Sequence, residues 1–219
     1  MFVMLSTPTD PTDLDPLQRN RLLAVASHQA GLFTTEQARE AGYSRRAQSY
    51  HVGTGEWERV QLGILRLRAW PLTESESVVR WSLWAGPTSV VSHESAARLW
   101  GLGDIVDYEA HLTVPVRFPR RTFRGRGVAA PRLVLHRDTL GEEEIEYRDG
   151  YRITRPVRTV LDLAASGVEG THLARAVLSL RAFGVGSWDE VLAGAARRGT
   201  RAVAALVGAE PHGALGGIQ

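Results

Sequence analysis

An α+β fold in two parts is what the sequence predicts: an N-terminal winged helix-turn-helix, then a mixed domain with a small, mostly antiparallel sheet and flanking helices. Three observations carry this. Between Pro16 and Trp70, capped helices and one alternating segment follow in the order helix, helix, turn, helix, hairpin. Between Ala110 and Thr154, short β-type runs are separated by turn residues and followed by helix-period stretches. The 219 residues exceed one small helical module and fall short of three domains at roughly 100–200 residues each. The expected organisation is a disordered tail over 1–15, the winged helix over 16–70 and the mixed domain over 71–219.

The tail, Ser6 to Asp13, is polar, proline-containing and without period. Asp15-Pro16 reads as a cap followed by a first-turn proline, which predicts a helix from Pro16 to about Ala30 with Leu17, Leu22, Val25 and Ala26 inward. Gly31 ends it, and Thr34-Thr35-Glu36-Gln37 opens a short second helix running to Ala41. After Gly42, Ser44 caps a third helix to about Val52. The stretch from Trp57 to Arg68 alternates apolar and polar residues around Leu62-Gly63, as a hairpin does.

Helices are expected next from Ser75 to Trp84 and from the cap Ser92 onward. Strands are expected at Ala110–Val116, Arg132–His136, Glu144–Arg148 and Tyr151–Thr154, the last two joined by the hairpin signal Asp149-Gly150. Helices at Pro156–Ala165, His172–Phe183, Trp188–Arg197 and Arg201–Val207 complete the second part, and the final GALGGIQ reads as a frayed end.

Composition narrows the function classes. A hydrophobic share of 43% with 23% charged residues supports packed cores and excludes global disorder. The absence of cysteine excludes disulfides, cysteine-based zinc sites and thiol catalysis. The apolar scrap Met1–Leu5 is far short of a signal-peptide core, and no run approaches the ~20 apolar residues of a spanning helix, so a soluble cytoplasmic protein is expected. All 26 basic residues are arginine. Arginine grips phosphate or guanine with two prongs, although a GC-rich genome produces the same bias.

The net charge is only +2, but it is laid out in blocks. Eight arginines (Arg19, Arg21, Arg39, Arg45, Arg46, Arg59, Arg66, Arg68) face four acids between Arg19 and Trp70, and seven arginines face no acid between His111 and Arg137. On the third helix, Tyr43, Ala47, Tyr50 and Thr54 fall at the spacing of a buried stripe. The opposite face would then present Arg45, Gln48, Ser49 and Val52, with Arg46 on its flank. Arginine suits guanine, glutamine suits adenine, and serine suits several base edges, so this helix reads as the one that enters the major groove of double-stranded DNA. Arg59, Arg66 and Arg68 on or beside the hairpin would reach phosphates, and Thr35 and Ser44 mark helix N-termini able to receive one.

The run AGLFTTEQAREAGYSRRAQSYHVGTGEWERVQLGILRL resembles the winged helix of AbiEi-type antitoxins of type IV toxin-antitoxin systems, and SHESAARLWGL, HLTVPVR and DGYRITRPVRTVLDLA resemble their second domain. The resemblance covers roughly Arg19 to Ala165. It implies a DNA-binding repressor that silences its own operon and counters a nucleotidyltransferase-like toxin, with Ser44–Val52 and Trp57–Arg68 facing DNA. It assigns no toxin-contacting residue. One departure stands out: relatives carry an aliphatic side chain near Gln48 or His51, and both are polar here. Either the helix is rotated or those positions have turned toward DNA.

The remaining constellations are less specific. Arg117, Arg120, Arg121, Arg124 and Arg126, with two phenylalanines between them, form either a second phosphate or acidic-partner patch or a solvated loop. Gly186-Ser187 before Asp189-Glu190 reads as a helix cap, not as nucleotidyltransferase metal ligands. The seven histidines show no helical pair and no HExxH, so no metal or other cofactor is expected. Glu142-Glu143-Glu144 reads as a solvated turn. No paired carboxylates with a lysine suggest a nuclease, and the chain is read as a non-enzyme. The alternative function is a ligand-sensing regulator whose second domain binds a small molecule among Trp81, Trp84 and Trp100.

Overall fold

The structure, a computed structural model, describes residues 16–106, 108–119, 132–148, 150–199 and residue 206. Among these the chain divides into two compact units, one running through Trp84 and one from Ala85 onward. The expected boundary at Pro71 gives way because the helix that follows reaches back: Glu76 lies 3.5 Å from Arg66 of the first unit.

The first unit consists of α1 (Pro16–Ser27), β1 (Leu32–Thr34), α2 (Thr35–Glu40), α3 (Arg45–Thr54), β2 (Trp57–Gln61), β3 (Ile64–Leu67) and α4 (Glu76–Ala85). This is the winged helix-turn-helix order with a third short strand added. α1 stops before its expected end because Ala30 and Gly31 both turn left-handed (φ 52° and 77°). The Gly31 amide then donates to the Ala26 carbonyl at 2.9 Å, closing the helix in the manner of a Schellman motif. A side chain at residue 31 would sit 2.3 Å from the Trp70 ring, so glycine is required for space as well as for φ.

α2 starts in a capping box: the Thr34 hydroxyl accepts from the Gln37 amide at 3.0 Å and the Gln37 side chain accepts from the Thr34 amide at 2.8 Å. The sheet runs β1-β3-β2, antiparallel throughout, with an irregularity in register between Arg59 and Gln61. Its core is Leu22, Ala26, Phe33, Ala38, Ala41, Tyr43, Trp57 and Leu65. Leu17, expected inside, is exposed.

The second unit contains β4 (Val90–Val91), α5 (His93–Trp100), β5 (Glu109–Val114), β6 (Arg132–Arg137), a 3-10 turn (Glu142–Glu144), β7 (Ile145–Arg148), β8 (Tyr151–Thr154), α6 (Pro156–Ser166), α7 (Gly170–Ala182) and α8 (Trp188–Arg198). The sheet order is β6-β5-β4-β8-β7. β5 with β6 and β4 with β8 are parallel, and the other two pairings are antiparallel. The sheet is therefore mixed where a mostly antiparallel one was expected: β5 and β6 run parallel from Glu109–Arg132 to Val114–Arg137, and the two-residue β4 meets β8 in parallel.

The β7–β8 hairpin turns where Asp149-Gly150 predicted it, with Arg148 opposite Tyr151 and Gly150 at φ 79°. α6, α7 and α8 supply the core of Val160, Leu161, Leu163, Leu173, Leu180 and Val191, which the buried Leu206 joins. The expected tail over 1–15, most of the helix expected at Arg201–Val207 and the frayed end lie outside the described residues. Among the described residues no helix is long and apolar enough to cross a membrane.

Candidate nucleic-acid interface

α3 is held at both ends by its own sequence. The Ser44 hydroxyl accepts from the Ala47 amide at 3.2 Å, and Gly55 closes the helix at φ 79°. Its packing face is not the expected stripe. Tyr43, Gln48 and His51 are buried, Ala47 is half-buried, and Tyr50 faces out with Arg45, Arg46 and Ser49.

Gln48 is thus corrected from a base-reading residue to a structural one. Only 6% exposed, it donates its amide to the Thr35 carbonyl at 3.0 Å and to the Tyr43 carbonyl at 3.1 Å. It braces α3 against the start of α2 and the turn between them. His51 is equally committed. Its Nδ1 lies 2.7 Å from the Glu56 carboxylate and its ring stacks on Trp57 at 4.6 Å, with Tyr43 edge-on at 5.4 Å. Neither position has turned toward DNA: both stay buried, with Gln48 on the Thr35 and Tyr43 carbonyls and His51 on Glu56.

Two further expectations change. Thr34, not Thr35, caps α2. The Thr35 amide donates to the Gly63 carbonyl at 2.9 Å and its carbonyl accepts from Gln48, so Thr35 ties helix to hairpin and offers no free amide to a phosphate. Arg66, placed by alternation on the outer side of the hairpin, is only 7% exposed. It lies 3.7 Å from Glu58 and 3.5 Å from Glu76 and donates to the Trp70 carbonyl at 2.6 Å. The cause is what lies on that face: Glu58 of β2, Glu76 of α4 and the Trp70 carbonyl close around the Arg66 guanidinium.

The outward set that remains is Arg45, Arg46 and Ser49 on α3, and Arg59 and Arg68 on the hairpin. Among the described residues none of these four arginines is in an ion pair with a carboxylate. The nearby Glu36 is held below its usual carboxylate range by a hydrogen bond from Arg39, with the charges of Arg39 and Arg45 adding to it. The Ser49 hydroxyl donates to the Arg45 carbonyl at 3.0 Å, which leaves it as an acceptor for base amino groups. At the hairpin tip Leu62 is 72% exposed beside Gly63 at φ 78°. Within the same unit a cavity of about 540 Å³ is lined by Leu22, His51, Trp57, Leu67, Arg68 and Trp70 among others.

This helix-turn-helix and hairpin coincide with a stretch that matches a known family. Residues 20–68 match the transcriptional regulator, AbiEi antitoxin family. The AbiEi-like segment therefore begins in α1 and ends just past β3. No curated protein sequence matches the chain. Its fold is similar to the crystal structure of the RV2827C protein from Mycobacterium tuberculosis, with a TM-score of 0.52 at 17% identity, covering 94% of this chain and 82% of that one. At that identity the likeness concerns fold alone.

Beyond the AbiEi-like segment, Arg117 is exposed, and Arg120, Arg121, Arg124 and Arg126 lie outside the described residues. The second unit buries its polar groups in two clusters that sequence reasoning missed. In the first, Arg158, nearly enclosed, donates to Asp162 at 2.7 Å, Glu144 at 2.9 Å and Asp138 at 2.6 Å, and Arg198 reaches Glu144 at 3.3 Å. Glu144 is thus an anchor rather than part of a solvated turn. Burial pushes the Asp162 carboxyl up to about 6, against the pull of Arg158 and Arg198.

In the second cluster, His93 stacks on His136 at 3.4 Å, while His111 Nδ1 lies 3.1 Å from His136 and 2.9 Å from Glu94. Burial, then the neighbouring His136, pushes His93 down to about 3. Among the described residues no group of three or more His, Asp or Glu side chains is arranged to hold a metal ion.

The tryptophans that the alternative reading would place around a ligand are packing residues. Trp81 is 2% exposed and edge-on to Trp84 at 5.7 Å. Trp100 donates to the Thr154 carbonyl at 2.8 Å beneath the Arg148 guanidinium, 3.7 Å from its ring. Ser187 caps α8 in a capping box with Glu190.

Proposed function

We propose that the first unit binds double-stranded DNA, with α3 in the major groove and the hairpin on the flanking phosphates. The observation that carries this reading is the outward face of α3. Arg45 and Arg46 stand there without ion-pair partners among the described residues, on a helix whose other face is locked by Gln48 and His51. Arg45, Arg46 and Ser49 contact bases, and Arg59 and Arg68 contact phosphates. The family match supports a regulatory role, so the protein is read as a cytoplasmic repressor of its own operon. It is further read as the antitoxin of a type IV pair, countering a nucleotidyltransferase-like toxin by binding rather than by catalysis.

Electrophoretic mobility shift with duplex fragments from upstream of its own gene tests the DNA reading. Arg45→Ala should weaken the specific complex by about 1–3 kcal/mol and random duplex much less. Equal losses on both would remove Arg45 from base readout. Co-expression with the neighbouring reading frame tests the antitoxin reading: unrelieved toxicity overturns it and leaves DNA binding standing.

The cavity beside α3 favours a second reading, a ligand-sensing regulator, with the ligand in the first unit rather than the second. Its volume is that of a small-molecule site, and Trp57 and Trp70 in its wall would report occupancy by a change in fluorescence.

A further inference from the structure

The packing of α3 leaves one residue with no structural duty. Tyr50 is 38% exposed, and its ring meets only the edge of His51, at 5.6 Å and 78°. Among the described residues its hydroxyl has no hydrogen-bond partner. His51 itself is fixed by its stack on Trp57 and its contact with Glu56, so the surface on which Tyr50 rests is rigid. One turn before Tyr50 is Arg46, exposed; next to it is Ser49, exposed; one turn after it is Gly53, where an added Cβ would meet nothing within 4 Å. On a helix these residues share the side that faces away from the core.

We propose that Tyr50 is a specificity-determining residue of α3. Its ring packs on the 5-methyl group of a thymine in the major groove, one turn along α3 from the arginine contacts made by Arg45 and Arg46. This rests on the DNA-binding reading above. The major groove is where thymine presents its methyl, and an apolar surface against that methyl is one of the few direct ways to tell thymine from cytosine. A tyrosine ring suits the task because it has few rotatable bonds to immobilise and is already supported from behind. The bare helix surface at Gly53 lets the duplex come close beside the ring, and Arg45 and Arg46 supply the polar contacts that the ring does not.

The test uses the full chain and the duplex site that it selects from a random pool. Each thymine of that site is replaced singly by deoxyuridine, which removes only the methyl. For the unaltered protein, one replacement should weaken binding several-fold, and Tyr50→Ala should weaken binding to the intact site by about 5- to 100-fold with little change on random duplex. For Tyr50→Ala the same deoxyuridine replacement should cost nothing further, because the contact is already gone. Tyr50→Phe should keep the sensitivity to the methyl, which separates the ring from the hydroxyl.

The inference is overturned if no single deoxyuridine weakens the unaltered protein, a measurement that needs no variant to fold. It is also overturned if Tyr50→Ala keeps the same sensitivity to the methyl. If the unaltered protein binds no duplex at all, the DNA-binding reading itself fails. Sequence-selective binding that is lost in Arg45→Ala but unaffected in Tyr50→Ala refutes the role of Tyr50 alone.

Discussion

Removing the Gln48 side chain strips two carbonyls, those of Thr35 and Tyr43, of their donor. Each unsatisfied buried group costs about 1–3 kcal/mol, so Gln48→Ala should lower the stability of the first unit by about 2–4 kcal/mol in urea unfolding. It should also weaken specific and random duplex by the same factor. A loss confined to the specific site would return Gln48 to base readout. The hairpin arginines separate in a similar way. Arg68→Ala should leave the melting temperature in place and reduce the salt slope of DNA binding by about one phosphate contact. Arg66→Ala should destabilise instead, since it leaves Glu76 and the Trp70 carbonyl without their cation. A salt-slope change for Arg66→Ala with unchanged stability would contradict its burial.

Caps were legible in the sequence because a cap is a local event: Ser44 and Ser187 each hold the amide three residues on, as their spacing predicts. The phase of α3 was not legible. Its inward face is decided by carbonyls from α2 and the turn and by the Trp57 ring, all of which arrive through tertiary contact. Counting apolar residues therefore put Tyr50 in and Gln48 out. Two strands escaped for a different reason: Leu32–Thr34 and Val90–Val91 are too short to show a period. Arg66 was misplaced because two of the groups that cover it, Glu76 and the Trp70 carbonyl, lie beyond the hairpin. The turn between α1 and β1 was legible as a break, and its tightness is testable. Gly31→Ala needs both a left-handed backbone at φ 77° and room that Trp70 occupies, so it should destabilise by more than the ~1 kcal/mol of an ordinary left-handed strain. A melting temperature equal to that of the unaltered protein would show that Trp70 can move aside.

Acid sensitivity belongs to the molecule as a whole but should originate in the second unit. The folded state holds His93 neutral down to about pH 3, whereas an unfolded histidine takes up its proton near its ordinary value of 6.5. Unfolding therefore binds protons, and stability should fall as pH drops from about 6.5 toward 3. The buried Asp162 carboxyl works the other way, since it is already protonated below about 6 in the fold and only below its ordinary value of 3.8 when unfolded. Comparing melting temperature against pH for the unaltered protein and His93→Asn isolates the histidine. Asparagine tolerates the left-handed φ of 53° at this position, and the variant's curve should be flatter in acid. Parallel curves would place the acid sensitivity elsewhere.

The five-stranded sheet has its shortest strand in the middle, and β4 joins β8 through the single parallel pair Val91 and Ile153. During synthesis, that seam cannot close until the chain has been made past residue 153, and its long loop must then be gathered against entropy for little immediate return. The described elements of the AbiEi-like segment, by contrast, are contiguous from Pro16 to Leu67 and joined by short turns. On a ribosome the first unit is positioned to fold first, while the second is still being completed.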